Sequence, residues 1–392
     1  MAVALNDDLT YVGMDDPTRD FFDELIPLQK GTSYNAYLLK GAQKTALIDT
    51  MYAPFAEGFL QELAAAGAQI DYVISQHAEQ DHSGALPLIL AKFPKAVVYT
   101  SSFGRQNLTT LLGIDPARIK VVQNQEELSL GNKTLRFISA PNVHWPDTMF
   151  TYLVEDNFLF TCDFLGCHQI LEGNVWAQPG AALATKAKEY FAEIMLPFRK
   201  MCAKYEMLVR DLNPTWILPS HGPLYKGEGI KFILDCYQKW SSDQTENLVL
   251  LPYVSMYQTS LELVQNALAQ LNAAGIKAVS FDLIRQPLRD LAGYLVDART
   301  IVLACSMVLG GPHPAAMNFA YLAKLLRPKA KNLGIIGSYG WGGKLADPLI
   351  ACLEGVGANV LPPLLFKGKA TPEDLAKLDA LVQLIIKNHQ NA

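Results

Sequence analysis

No apolar run in this chain approaches the ~18–20 residues that a membrane-spanning helix needs. Its first residues, MAVALNDDLT, lack the basic start and apolar stretch of a secretory signal. Cysteine is scarce: there are six among 392 residues, and no two form a C-x-x-C pair. In a chain this large they read as reduced, buried thiols, which points to the cytoplasm. Charged residues make up only 18% of the chain and sum to −5, which argues against general nucleic-acid binding. Internal repeats and low-complexity segments are absent.

What is present is enough chain for two domains. Residues 1–247 hold 20 Lys and Arg against 29 Asp and Glu, a net of −9; residues 248–392 hold 13 against 9, a net of +4. The sign changes across SSDQTEN (241–247), a polar stretch that reads as a linker. Domains of 1–247 and 248–392 are expected.

The densest signal is ISQHAEQDHSG, which packs His77, Glu79, Asp81 and His82 into six positions. Two imidazoles and two carboxylates so close must face water, pair with each other, or bind metal. An apolar strand (72–75) leads in and a helix-like run (84–93) leads out. The cluster therefore sits at the carboxyl end of a strand, where ligands bind in layered α/β folds. His144 follows strand 134–141, Asp163 ends the hairpin 151–164, and His221 follows the strand in TWILPSHGP. A lone histidine after a strand is an ordinary loop or cap residue, and His168, His313 and His389 can be of that kind. Asp163 alone could cap a helix. The joint pattern, four of seven histidines at strand exits with grouped acids, points to metal.

These side chains exceed what one metal ion needs. Asp163 arrives alone on its own hairpin, so it is the natural bridge between two ions. Alternation along the loop would send His77 and Glu79 one way, Asp81 and His82 the other. Glu79 is the informative letter, because a zinc hydrolase built on this loop would carry histidine there. Hard oxygen ligands mixed with imidazole suit iron or manganese.

In the second half, strand 248–254 runs through Ser255, Met256, Tyr257, Gln258, Thr259 and Ser260 into a helix-like segment, 261–275. Backbone N–H groups and hydroxyls at a helix start suit a phosphate monoester. The loop has no lysine, so it is not a nucleoside-triphosphate loop of the G-x-x-x-x-G-K-[ST] kind. Apolar strands in 299–314 and 331–344 also end in glycine-rich loops, and the strand–helix order implies a parallel sheet. Gly340 and Gly342 allow close backbone approach to a flat ring, while Tyr339 and Trp341 offer aromatic faces.

The H-x-E-x-D-H cluster, the HWPD histidine after 61 intervening residues, Asp163 after 18 more and the SHGP histidine together resemble the flavodiiron proteins. That resemblance spans essentially the whole chain. It implies an α/β chain with an N-terminal metallo-β-lactamase-like αββα sandwich and a C-terminal flavodoxin-like doubly wound parallel sheet. It further implies two iron ions, one held by His77, Glu79 and His144 and the other by Asp81, His82 and His221, with Asp163 bridging. His168 and Tyr190 are implied as catalytic-pocket residues. FMN is implied at Ser255–Ser260, at Ser306, Met307, Val308, Leu309 and Gly310, and at Ser338, Tyr339, Gly340, Trp341 and Gly342. The second of these loops departs from the family's usual S-P-T-x-N. The implied activity is reduction of dioxygen to water or of nitric oxide to nitrous oxide. The chain ends soon after its last helix-like run, so a separate donor, rubredoxin or a flavin reductase, is expected to supply electrons. A head-to-tail homodimer or dimer of dimers is also implied. A zinc hydrolase with a flavodoxin-like appendage, and a non-catalytic flavin carrier or sensor, are the alternatives.

Overall fold

The strands Tyr37–Lys40 and Thr45–Ile48 explain why the first sheet is covered on both sides, since successive side chains point to opposite faces. Leu38 and Leu47 join Val73 and Val98 against Phe59 and Leu63 of helix Ala56–Ala65 and Ile89 of helix Leu86–Lys92. Tyr37, Leu39, Ala46 and Ile48 instead meet Leu135, Phe137, Phe158 and Phe160 of a second sheet. The computed structural model describes residues 2–390.

The first sheet has seven strands and the second has six, Glu127–Ser129 through Tyr225–Lys226. Within strand Met149–Leu153, Met149 and Leu153 enter the layer between the sheets. Phe150, between them, turns outward and meets Tyr205 of helix Arg199–Leu212 with ring centres 5.7 Å apart. Phe164 likewise meets Tyr237 of helix Glu228–Ser241 at 5.2 Å. Helix, sheet, sheet, helix is the expected αββα sandwich.

The chain divides into two compact units, Met1–Phe191 with Phe198–Ser241, and Ala192–Pro197 with Ser242–Ala392. The first long strand of the second unit, Glu246–Val254, begins two residues before position 248, so the polar stretch contributes its end to the strand. Its parallel neighbours are Lys277–Asp282 on one side and Ala298–Val308, then Asn332–Tyr339, on the other. Leu263 and Val264 of helix Thr259–Ala273 and Leu378 and Ile385 of helix Pro372–Gln390 pack on one face against Val249, Val302 and Ile336. Helices Leu288–Asp297 and Pro314–Leu326 pack against the same strands as well. This is the doubly wound parallel sheet. All its first connections leave from one edge, where Ser255–Ser260, Ser306–Gly310 and Ser338–Gly342 gather. No helix among the described residues is long and apolar enough to cross a membrane.

Candidate metal centre and flavin cleft

Four strand exits in the first unit hold the seven candidate metal ligands, and each exit is fixed by backbone bonds. After strand Tyr72–Ile74, Ser75 donates its N–H to Tyr99 O (2.9 Å), and Gln76 donates to Asp49 Oδ1 (2.8 Å). Ser220 Oγ donates to Asp49 Oδ2 (3.0 Å), so one buried carboxylate ties the His77 segment to the His221 segment. Ser220 N–H also donates to Cys162 O (2.7 Å), joining the His221 segment to the exit that carries Asp163. The cluster expected in a single loop is partly helical: Gln80–Ser83 forms one turn that carries Asp81 and His82. That turn, rather than strand-like alternation, separates the two pairs.

His77, Glu79, His144 and Asp163 bring one donor atom each to within 4.8 Å of one another, and so do Asp81, His82 and His221. Asp163 faces both groups with different oxygens. Its Oδ2 is 3.7 Å from His77 Nε2 and 3.7 Å from His144 Nε2; its Oδ1 is 2.9 Å from His82 Nε2 and 3.3 Å from His221 Nε2. Glu79 Oε2 lies 3.0 Å from His77 Nε2 and 3.2 Å from His144 Nε2, while Asp81 Oδ2 lies 3.0 Å from His221 Nε2.

Burial makes this arrangement demanding. His77 and His221 are fully buried, and Asp163 and His82 nearly so. The Nε2 atoms of His82, His144 and His221 and both oxygens of Asp81 are buried and form no hydrogen bond of acceptable geometry, although carboxylates lie close. Buried polar atoms left so cost ~1–3 kcal/mol each. Atoms aimed at shared points rather than at each other are what two cations with mixed imidazole and carboxylate ligands require. A third group, Asp49, His82 and Cys162, is also close, but Asp49 already accepts three hydrogen bonds from Gln76 and Ser220.

The electrostatics agree. Burial raises the Asp163 carboxyl, but the imidazoles of His82 and His221 beside it outweigh that, holding its pKa well below the usual carboxylate value. Burial lowers His221, yet the carboxylates of Asp163 and Asp81 close beside it carry its pKa up to about 10. The site is thus a cluster of opposed charges in which added positive charge is welcome. His221 Nδ1 donates to Ser33 O (2.8 Å), which presents its Nε2 to the cluster.

Tyr190 and His168, expected as catalytic residues, reach the cluster indirectly. Tyr190 is fully buried, and its hydroxyl donates to Asp163 O (3.0 Å) or Oδ1 (3.2 Å). His168 Nδ1 pairs with Thr32 Oγ1 (3.0 Å), and its ring lies 4.8 Å from Tyr190 and 5.8 Å from His221. Burial and the neighbouring His221 hold His168 well below its ordinary pKa, in the neutral form.

Three residues escape the sequence reading. Asp147, in the HWPD segment, lies 3.2 Å from His77 Nδ1 and accepts the Ala78 N–H at 2.8 Å. Phe22, on the hairpin Phe21–Phe22 and Ile26–Pro27, packs against His168 with ring centres 4.3 Å apart and planes tilted by 47°. Asp23, at the exposed turn of that hairpin, feels the same cluster, and desolvation followed by the charge of Glu79 raises its carboxyl to about 6. Only Asp147 had a usable signal, as an acid three residues after a candidate ligand.

In the second unit a cavity of about 320 Å³ is lined by Met256, Tyr257, Thr259, Ser306, Met307, Ser338, Tyr339, Gly340, Trp341 and Gly368. All three expected loops therefore contribute to it. Tyr257 and Trp341 are 93% and 63% exposed, so two aromatic rings stand over an open cleft, as a flat cofactor requires. Ser255, Gln258, Ser260, Val308, Leu309, Gly310 and Gly342 are not in the lining. Ser255 Oγ instead accepts the Leu261 N–H (3.1 Å) and caps the helix. The segment 306–310 is not an open loop. Strand Ala298–Val308 turns at Leu309 (φ 50°) and Gly310 (φ 81°) and pairs back through Val308 and Gly311. Two successive positive φ values make the tight hairpin turn that glycine favours.

The family model described as ODP family beta lactamase matches residues 32–222. The flavo-diiron protein FprA2 of Clostridium acetobutylicum is 32% identical over 368 residues, 90% of each chain. A nitric oxide reductase of Moorella thermoacetica is 30% identical over 347 residues, 87% of this chain and 86% of that one. Among solved structures, rubredoxin oxygen:oxidoreductase from Desulfovibrio gigas aligns over 100% of this chain and 99% of its own, with a TM-score of 0.95 at 26% identity. With its strand-exit donors, its doubly wound second unit and kinship running along nearly its full length, the chain belongs to the flavodiiron protein family.

Proposed function

We propose that this protein reduces dioxygen to water, or nitric oxide to nitrous oxide, with electrons that reach it from a separate protein. Its family carries a non-haem diiron centre and FMN, and the donor sets fit both groups. The carrying observation is the divided carboxylate of Asp163, one oxygen toward each group of donors. We assign His77, Glu79 and His144 to one iron, Asp81, His82 and His221 to the other, and Asp163 to both. When bound, the irons offer open positions for a diatomic gas and FMN supplies electrons singly or in pairs. The chain's own residues do the holding. Asp147 and Ser33 O fix the tautomers of His77 and His221, Tyr190 steadies Asp163, and Phe22 with His168 and Tyr190 walls off water on the His221 side. We assign FMN to the cleft beneath Tyr257 and Trp341. The test is steady-state turnover of both gases, in parallel, by iron- and flavin-loaded protein with a competent donor. Consumption of neither gas would remove the reading.

The donor we infer is a rubredoxin or a flavin reductase with an acidic face, because residues 248–392 carry +4. Steering between opposite charges speeds association at low salt. In the same assay, the donor-limited rate is expected to fall as ionic strength rises. A rate unchanged to ~0.5 M, far beyond the Debye range, contradicts the steering.

The working unit we infer is a head-to-tail homodimer or a dimer of dimers. Leu309 and Tyr257, both 93% exposed, and Trp341 give the flavin edge an apolar surface suited to burial in an interface. The opposed charges of 1–247 and 248–392 favour antiparallel pairing of two copies. Sedimentation at assay concentration is expected to give a dimer or tetramer, and a fully active monomer would exclude it. A cytoplasmic location rests on the cysteines, since among the described residues no disulfide forms.

A further inference from the structure

The flavin cleft has one wall that its three loops do not supply. Gly368, in the lining, follows strand Leu364–Lys367 and donates its N–H to Tyr339 O (2.9 Å). Its φ of 64° is a left-handed turn that suits glycine, and the turn leaves Lys367 and Lys369 exposed on either side. Between Leu361 and Pro372 there is no acidic residue. The next acids along the chain are engaged: Glu373 pairs with Lys377 (2.9 Å), and Asp374 accepts the Thr371 hydroxyl (2.7 Å).

Strand Leu364–Lys367 is an edge. It pairs with Asn332–Tyr339 on one side, and among the described residues no strand pairs with its other side. Leu364 and Phe366 point into the core, so Leu365 and Lys367 point away from it, and Leu365 is 38% exposed. Beside the edge lies an apolar groove of about 490 Å³, lined by Pro362 and Leu365 and by Ala380, Leu381 and Leu384 of helix Pro372–Gln390. Groove and cleft are continuous. The chain runs from Leu365 in one to Gly368 in the other, a distance of about 10 Å for three extended residues.

Resting on the donor and flavin readings above, we propose that this edge is where the electron donor docks. An apolar patch of the donor sits in the groove, and its acidic rim meets Lys367 and Lys369 beside the Gly368 wall. Protein interfaces place an apolar centre within a polar rim, and transient electron-transfer contacts are small, below ~1,200 Å². The groove is of that scale and the lysines carry the sign that an acidic carrier needs. The other exposed surface of the cleft, Tyr257, Leu309 and Trp341, is the one assigned above to contact between copies, which leaves this wall for the donor. A second copy in the groove is the competing occupant.

The experiment follows flavin reduction in full-length, iron- and FMN-loaded protein by stopped flow, with reduced rubredoxin and, separately, with a flavin reductase supplied with NADH. Failure of both to reduce unmodified protein removes the donor reading and this proposal with it, while gas turnover driven by photochemical reduction tests the activity independently. Given reduction by either, Lys367→Glu combined with Lys369→Glu is expected to raise the half-saturating donor concentration about ten-fold at low salt and to flatten its salt dependence. Ala380→Gln puts an amide into the groove without changing charge, and should raise that concentration several-fold at every salt concentration. Lys331→Glu combined with Lys387→Glu alters net charge equally at the opposite end of the same sheet, and should cost much less than the first pair. FMN content and photochemical reduction should stay as in unmodified protein throughout. Equal losses from the two lysine pairs would mean that net charge alone acts. Loss of FMN with Lys367 and Lys369 changed would mean that these lysines hold the cofactor. A smaller oligomer, by sedimentation of either that pair or Ala380→Gln, would place a second copy in the groove. Each of these overturns the proposal, as does unchanged half-saturation in the first pair or in Ala380→Gln.

Discussion

Protein carrying Asp163→Ala is expected to retain FMN and to lose its metal. Among the described residues, no other carboxylate faces both donor groups. Its Oδ1 stands with His82 and His221, and its Oδ2 with His77 and His144, so alanine removes a ligand and half a charge from each position. What remains is three donors on each side, and the imidazoles lose the charge that holds them. Outer partners of metal ligands are worth 10–100-fold in affinity. A shared ligand should exceed that, at more than about 100-fold for the pair. Tyr190 would also lose one of its two acceptors. The flavin loops belong to the other compact unit and share no ligand with Asp163. Metal analysis and flavin absorbance on the same purified sample give the answer. Full iron content would refute the bridge, and joint loss of iron and flavin would point to failed folding rather than to lost ligation.

How much of this could be read from the sequence differs by residue. The strands leading to His77, Asp163 and His221 are apolar runs closed by a polar residue, and period and punctuation suffice to place them. The parallel sheet likewise follows from strand–helix alternation. The single turn Gln80–Ser83 was not legible, because four polar residues carry no helical pattern of their own and the turn is held by tertiary bonds such as Thr50 N–H to His82 O (2.8 Å). The hairpin after Val308 was hidden for a related reason. Leu309 and Gly310 announce a turn only to a reader who knows the strand continues through Ser306 and returns at Gly311. The contact of Ser260 with Ser338 was hidden as well, because sequence shows a residue's neighbours along the chain and not one 78 residues away. The two-residue strands around Phe22 and Ile26 are too short for any periodicity, yet they place a ring over His168.

Asp147 is the other side chain whose loss should be large, and it touches one metal position only. It is fully buried, lies 3.2 Å and 3.3 Å from His77 Nδ1 through its two oxygens, and accepts the Ala78 N–H at 2.8 Å. Burial raises its pKa, but the hydrogen bond with His77 outweighs it, so it stays ionised. A charged acceptor at Nδ1 keeps the proton on that nitrogen and leaves the Nε2 lone pair for metal. Asp147→Asn preserves shape but offers one carbonyl oxygen to two donors, Nδ1–H and Ala78 N–H. The carboxylate's charge is lost, and in either orientation the amide N–H₂ stands close to Nδ1 as a competing donor. Retention at the His77, Glu79, His144 position is expected to weaken 10–100-fold. The Asp81, His82, His221 position, whose His221 is oriented by Ser33 O, should be unaffected. A chelator challenge should therefore release the variant's iron in two equal phases, one fast and one at the unmodified rate. Release in a single phase at the unmodified rate would show that Asp147 does not orient His77, and acceleration of both phases alike would show that it holds the segment rather than the ligand.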